Sequence, residues 1–96
     1  MSPNHNGDTV SGVIWATLEA AQRGRTTIWT IYDRPSDHPV GFIARRFEVG
    51  SGLGHTPTKD TLTGKIDDLR FALERAGFVK IARSEGDEAQ IVESWI

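Results

Sequence analysis

The clearest helical pattern in the chain lies over residues 64–76, GKIDDLRFALERA. Its apolar side chains recur at helical spacing and form one stripe, made of Leu62, Ile66, Leu69 and Leu73 and widened by Ala72 and Ala76. Asp67 lies in the first turns, where the helix dipole favours acidic side chains, and Gly77 is a typical stop. Phe71 lies roughly 200° around the helix from Leu69. We therefore expect Phe71 to be exposed or to form a contact with a partner.

A second helix is predicted over residues 11–23, from a weaker pattern. Ser11 is a suitable cap, and Gly24 is expected to end the helix. The predicted core side of this helix carries Ile14, Leu18 and Ala21, with Thr17 on the same stripe. Residues 1–10 are mostly polar and rich in turn formers. We expect a flexible N-terminus there and a single domain over residues 11–96.

Stretches rich in β-branched and aromatic residues predict strands at residues 26–32, 41–49, 78–83 and 89–96. Two prolines in residues 33–40 indicate a long loop between the first two strands. Residues 50–58 are glycine-rich and predict another loop, and the KDTLT that follows is a candidate for a short edge strand. The expected order is α-β-β-α-β-β. This order predicts an α+β fold with a small antiparallel sheet of about four strands.

The first two predicted strands are apolar on both sides. If Tyr32 pairs near Gly41, one face carries Ile28, Tyr32, Ile43, Phe47 and Val49, and the opposite face carries Trp29, Ile31, Phe42 and Ala44. In an antiparallel sheet with one solvent-exposed face, by contrast, apolar and polar side chains alternate along each strand. The helix over 64–76 can cover only one face. We expect a second copy of the chain to cover the other face in a homodimer, with the N-terminal helix as the close alternative and a different protein as the third.

Composition excludes several functions. The chain has 11 basic and 13 acidic residues and a net charge of −2, which is not the balance of a general nucleic-acid binder. The absence of cysteine excludes disulfides, Cys-based zinc sites and thiol nucleophiles. His5, His38 and His55 lack metal-ligand spacing and the glycine-rich stretches do not match a phosphate-binding loop, so we expect no metal and no cofactor. The apolar stretches are too short to span a membrane and no signal peptide is recognisable, so we expect a cytoplasmic protein.

The loop between the first two strands holds the candidates for acid–base chemistry. Carboxylates near a histidine can tune a general base towards neutral pH, which points to Asp33, Asp37 and His38. The alternative is turn chemistry, since Asp33 can accept backbone N–H bonds and Pro35 fixes φ. We favour the turn, because a hairpin tip seldom forms a pocket on its own.

Arg45 and Arg46 suggest phosphate or nucleic-acid binding, because guanidinium groups match phosphate oxygens and Trp29 could stack on a base. Neighbouring strand residues point to opposite faces, however, so the two arginines are poorly placed to clamp one phosphate. We favour structural roles, in which Arg45 extends over apolar neighbours and Arg46 lies near Glu48.

Three stretches resemble a family of small uncharacterised bacterial proteins: Tyr32-Asp33-x-Pro35-x-Asp37-x-Pro39, Phe42-x-Ala44-Arg45-Arg46-Phe47 and Ile91-Val92-Glu93-Ser94-Trp95-Ile96. The resemblance covers residues 28–49 and 66–96. It implies a compact bacterial domain and no particular chemistry.

The function we expect is that of a non-enzymatic protein-interaction module, such as a small adaptor, regulator or inhibitor. The candidate binding residues are Trp29, Arg45, Arg46, Phe71 and His38. The first alternative is a nucleic-acid-associated protein that uses Trp29 with Arg45 or Arg46. The second alternative is a small enzyme with Asp37 and His38 as its acid–base residues.

Overall fold

In the computed structural model, which describes residues 5–33, 41–50, 52, 54–81 and 90–96, the chain forms two helices and five strands. In chain order these are α1 (His5–Gln22), β1 (Thr26–Asp33), β2 (Phe42–Gly50), β3 (Gly54–Gly64), α2 (Ile66–Arg75), β4 (Lys80–Ile81) and β5 (Ile91–Trp95). All neighbouring strands are antiparallel, in the spatial order β3-β2-β1-β5-β4. The predicted α+β class and antiparallel sheet are confirmed. The described strands number five, where about four were predicted.

The additional strand is β3, an edge strand of 11 residues that pairs with β2. The loop predicted over residues 50–58 is therefore wrong from Gly54 onward. The glycine and proline residues of this segment indicated a loop, but half-buried and exposed positions alternate along the strand. Pro57 is tolerated because β3 is an edge strand. The ladder is irregular beside Pro57, where the Thr58 hydroxyl donates a hydrogen bond of 2.9 Å to the carbonyl oxygen of Arg46.

The strands β1 and β2 form the predicted hairpin with a shifted register. Tyr32 pairs with Ile43, two residues along the chain from Gly41. Side chains alternate along a strand with a period of two, so an even shift leaves every side chain on its predicted face. The other edge of β1 pairs with β5, which makes β1 the central strand of the sheet.

Both helices pack on the same face of the sheet, which we call the helix face. The core cluster joins Val13 of α1 and Leu69 and Leu73 of α2 to Phe78 and to the sheet residues Trp29, Ile31, Ala44 and Trp95. These sheet residues alternate with others along their strands and point to one side. The N-terminal helix therefore does not cover the second face, and that alternative is wrong.

The buried side of α1 also differs from the predicted one. Val13 and Ala20 are buried, whereas Ile14 and Leu18 are 39% and 53% exposed. Because α1 is apolar on more than one side, the spacing of its apolar residues did not identify the side that packs on the core. The helix begins at His5, within the stretch that was predicted to be flexible.

A buried carboxylate connects α2 to the sheet. Arg70 donates hydrogen bonds of 2.9 and 2.8 Å to the two carboxylate oxygens of Glu93, and the Trp95 indole N–H donates to the same carboxylate at 2.9 Å. Burial raises the pKa of Glu93. The hydrogen bonds from Arg70 and Trp95 outweigh burial and hold this pKa below its usual range.

Candidate functional site

The second face of the sheet, which we call the open face, carries three rows of side chains that run across the strands. The first row is Pro57, Phe47, Ile28, Ile96 and Val79; the second is Thr61, Arg45, Thr30, Ser94 and Ile81; the third is Thr63, Ile43, Tyr32 and Ile91. The rows follow from the strand register, because residues opposite each other share a face. Ile96 exchanges both backbone hydrogen bonds with Val79 and extends the pairing of β5 with β1. The open face is thus a mainly polar row between two mainly apolar rows.

Neither described helix covers the open face. Its most exposed apolar residues are Val79 (67%), Ile96 (47%) and Ile81 (42%), and its half-buried ones include Ile28, Tyr32, Phe47 and Val49. Phe47 contacts His55 edge to face, with ring centroids 5.3 Å apart. Apolar surface that extends across a whole sheet is uncommon on a soluble monomer. The open face is therefore the strongest candidate for a contact surface.

Arg45 occupies the middle row of the open face. It lies between Thr61 and Thr30 across the strands, and Thr30 is hydrogen-bonded to Ser94 over 3.2 Å. None of the described acidic side chains forms an ion pair with Arg45. A half-buried guanidinium among hydroxyl groups gives this apolar surface a polar centre, and arginine is among the residue types enriched at protein interfaces.

The next residue, Arg46, is buried on the helix face and bonded on several sides. It donates hydrogen bonds of 2.9 Å to Glu48 and 2.8 Å to Asp60. Glu48 also accepts hydrogen bonds from Arg23 and Arg25, at 2.9 and 3.1 Å. The hydrogen bond from Arg23, helped by those from Arg25 and Arg46, outweighs burial and lowers the pKa of Glu48 to about 2. The network ties the turn between α1 and β1 to β2, which confirms the predicted position of Arg46 beside Glu48.

The structure does not bring the predicted binding residues together. Trp29 and Arg46 are 2% and 4% exposed on the helix face, whereas Arg45 lies on the open face. Phe71 on α2 is 46% exposed, as its position around the helix predicts. His38 lies outside the described residues. Of the candidates that the structure describes, Arg45 alone belongs to the open face.

Sequence reasoning missed the part of the open face that β4, β5 and their flanking residues supply. These residues are Val79, Ile81, Ser94 and Ile96. Their alternation was visible in the sequence. Which face they join depends on the pairing of β5 with β1, a contact between distant parts of the chain that local patterns do not determine.

Comparisons of the chain with protein-family models, with curated proteins and with solved structures find no match. The resemblance to a family of small bacterial proteins therefore stays a prediction. Among the described side chains, no three of His, Asp and Glu are grouped so as to hold a metal ion. Neither α1 nor α2 combines the length and apolar character needed to cross a bilayer. The function proposed for this chain rests on its own surfaces.

Proposed function

We propose that the protein is a non-enzymatic interaction module that assembles through its open face, and that its first partner is a second copy of the chain. The observation that carries this proposal is a mainly polar row of side chains between two mainly apolar rows, of which the first two cross all five described strands and the third crosses four. Two sheets that pack face to face keep their strands within about 30° of each other. The rows of one copy can therefore lie against the rows of another.

A two-fold axis along β1 makes the open face self-complementary. Because β1 is central, this axis sets β2 opposite β5 of the second copy and β3 opposite β4. Phe47 in the first row then meets Ile96. In the middle row, Arg45 meets Ser94 and not another Arg45. Apolar side chains thus meet apolar ones, and the two cations stay apart, which favours this pairing electrostatically.

The expected interface is small. Five strands about 4.8 Å apart and three rows about 6.6 Å apart give a footprint of roughly 24 by 20 Å. Both copies together would bury about 1,000 Å², which is at the lower limit of specific interfaces. We therefore expect a dimer that forms at micromolar concentration and separates on dilution.

Light scattering coupled to size exclusion over a concentration series tests the dimer. Phe47→Glu puts a charge against the apolar first row of the second copy, so it should abolish dimerisation. Phe71→Glu is the matched control, because Phe71 is an exposed phenylalanine on α2, away from the open face. A wild-type protein that stays monomeric at high micromolar concentration rejects the proposal, and so does an equal loss of dimer in both variants.

Single-cysteine variants test the axis, because the chain has no cysteine of its own. Ile28→Cys lies on β1, so its two thiols would meet near the proposed axis, where a short bismaleimide should link the copies. Thr63→Cys, on the edge strand β3, is the matched control that this axis holds far apart. Linking of Thr63→Cys in place of Ile28→Cys would rule out an axis along β1.

The nucleic-acid alternative has less support. Bases stack on exposed aromatic rings, whereas Trp29 is buried and Arg46 is bonded to Glu48 and Asp60. Arg45 remains as its only candidate among those the structure describes, and a lack of retention on heparin at low salt would remove it. The enzyme alternative depends on residues outside the described part of the chain. A cytoplasmic location stays a prediction.

A further inference from the structure

The open face carries positive charge and no described acidic side chain. The acidic residues of the described strands all lie on the helix face: Asp33, Glu48, Asp60 and Glu93. The charged side chains on the other side of these strands are Arg45 and Lys59, since Lys59 alternates with the open-face residues Pro57 and Thr61 along β3. Complementary charges favour association, so this face is best completed by negative charge.

Arg45 is the charged residue in the interior of the open face, on a strand with neighbours on both sides. Its side chain is half-buried and forms no ion pair with a described acidic residue. In the proposed dimer it lies opposite Ser94 of the second copy, which brings a hydroxyl group and no negative charge. A charge that loses contact with water and gains no counter-charge is costly. The dimer therefore lacks a group that balances Arg45.

Hydroxyl groups flank Arg45 in the middle row. Thr61 lies opposite it on β3, and Thr30 lies opposite it on β1. Thr30 and Ser94 share one hydrogen bond of 3.2 Å, in which either hydroxyl can be the donor. One hydroxyl hydrogen of the pair is then left for another acceptor. A guanidinium beside hydroxyl donors suits an oxyanion, because charge-assisted hydrogen bonds to its oxygens are strong.

The middle row also leaves room for an ion. The side chains of Thr30 and Ser94 are short, whereas the rows on either side contain Phe47 and Tyr32. Packed sheets lie about 10 Å apart, so two copies whose larger side chains touch keep a polar space between their middle rows. Thr30 faces Thr30 of the second copy on the axis along β1. The two Arg45 residues lie on opposite sides of this axis, each about 4.8 Å from it along the sheet.

We propose that the dimer holds one divalent tetrahedral oxyanion, of the sulfate or hydrogen phosphate class, on its axis between the Arg45 side chains of both copies. This inference rests on the dimer proposed above and names the ion that completes it. The two negative charges balance the two guanidinium groups, and the Thr30–Ser94 pair of each copy donates a hydroxyl hydrogen. A monomer offers one arginine and binds the ion more weakly, so the ion strengthens the dimer.

Dimer affinity in different salts tests the proposal. Light scattering over a concentration series gives the dimer dissociation constant in sodium chloride and in sodium sulfate at equal ionic strength. At a sulfate concentration about ten times its dissociation constant from the dimer, dimer affinity should rise about tenfold. Nitrate, a planar oxyanion with a single charge, should give the same affinity as chloride. Equal affinity in sulfate and chloride overturns the bound ion and leaves the dimer in place, whereas a chain that is monomeric in both salts rejects the dimer itself and the bound ion with it.

Two arginine substitutions supply the matched control. Arg45→Gln removes the guanidinium and should abolish the sulfate effect. Arg75→Gln removes the same charge from an exposed position on α2, away from the open face, and should retain the effect. Sulfate also strengthens apolar contacts in general. A sulfate effect of equal size in Arg45→Gln would be this general effect, and it would overturn the proposal.

The side-chain Nε–H signal of Arg45 in proton–nitrogen NMR spectra gives a result that does not depend on how a variant folds. Arg45→Lys assigns the signal, because lysine has no Nε–H group of this kind. Sulfate should shift this signal in the wild-type dimer and leave that of Arg75 in place. An unshifted Arg45 signal at a concentration where the protein is dimeric overturns the bound ion.

Discussion

The helix face and the open face of the sheet are built from similar apolar side chains, but they differ in what covers them. On the helix face, Trp29, Ile31 and Ala44 are buried with residues of α1 and α2 in one core cluster. On the open face, Ile28 and Phe47 remain half-buried with no described helix above them. The strands β1 and β2 therefore have two apolar faces, and the described helices cover only one of them.

Two adjacent arginines show how this difference extends to charge. Arg46 points to the helix face, where Glu48 and Asp60 accept its hydrogen bonds. Arg45 points to the open face and has no ion-pair partner among the described acidic residues. Charges that the fold buries are usually paired within the chain, because an unpaired buried charge is costly. A half-buried arginine without a partner is consistent with a surface that a second molecule completes.

The largest expected effect is the difference in the free energy of unfolding between alanine substitutions at Arg46 and at Arg45. Arg46→Ala removes a bonded partner of Glu48 and Asp60 in buried surroundings, and breaking a buried pair costs about 3–5 kcal/mol. We expect the lower end of this range, because Glu48 keeps Arg23 and Arg25. Arg45→Ala should change the free energy of unfolding by less than about 1 kcal/mol. Urea unfolding at a concentration where the protein is monomeric measures both changes.

Equal losses of unfolding free energy in the two variants would contradict the difference between the two faces. The folded monomer would then depend on Arg45 and Arg46 to the same extent. Dimerisation should be weakened by Arg45→Ala and not by Arg46→Ala, which is the reverse of the order expected for stability. Arg45→Ala alters the middle row of the open face, and Arg46→Ala, where it still folds, does not. Light scattering on both variants at the same concentration separates the two effects.

An intermediate effect is expected from pH, through Glu48 on the helix face. Its pKa is lowered in the folded protein to about 2, against an ordinary value of 4.5. A lowered folded-state pKa stabilises the protein above the unfolded-state pKa, and this stabilisation is lost as pH falls through the window from about 4.5 to about 2. The loss amounts to at most about 3 kcal/mol at the acid end, at about 1.4 kcal/mol per pKa unit.

Urea unfolding at a series of pH values between 5 and 2, a range set by that window, measures this loss. Glu48→Gln should flatten the dependence, because an amide does not titrate. Glu74→Gln, on an exposed position of α2, should leave the dependence as steep as in the wild type. An unchanged slope in Glu48→Gln would show that the arginine network is not what acid disrupts.

Local patterns predicted the parts of the fold that depend on spacing alone. The stripe of α2 was placed correctly: Leu69 and Leu73 are buried, Phe71 is exposed, and Gly77 follows the helix with φ 97. The two faces of the first hairpin were also assigned correctly, because a register shift of two residues leaves every side chain on the same face. The prediction that Arg46 lies near Glu48 followed from the same alternation of side chains along a strand.

The remaining parts depend on contacts between distant residues. The core side of α1 could not be identified from a helix that is apolar on more than one side, and Val13 is buried where Ile14 was expected. The candidate edge strand KDTLT forms the second half of β3, whereas the first half has the glycine and proline content of a loop and pairs with β2. All three rows of the open face are completed by the pairing of β1 with β5.

The smallest expected effect belongs to Phe71, which lies on neither face of the sheet. Phe71 is 46% exposed, and the centre of its ring lies 5.6 Å from the Arg75 guanidinium carbon. An exposed contact of this kind is worth about 0.5–1 kcal/mol, so Phe71→Ser should cost no more than that in urea unfolding. Leu73→Ala, two positions along the same helix and fully buried, should cost about 2–5 kcal/mol. If Phe71→Ser instead weakens the dimer while the monomer stays stable, the interface includes α2, and the difference between the two sheet faces is not what determines assembly.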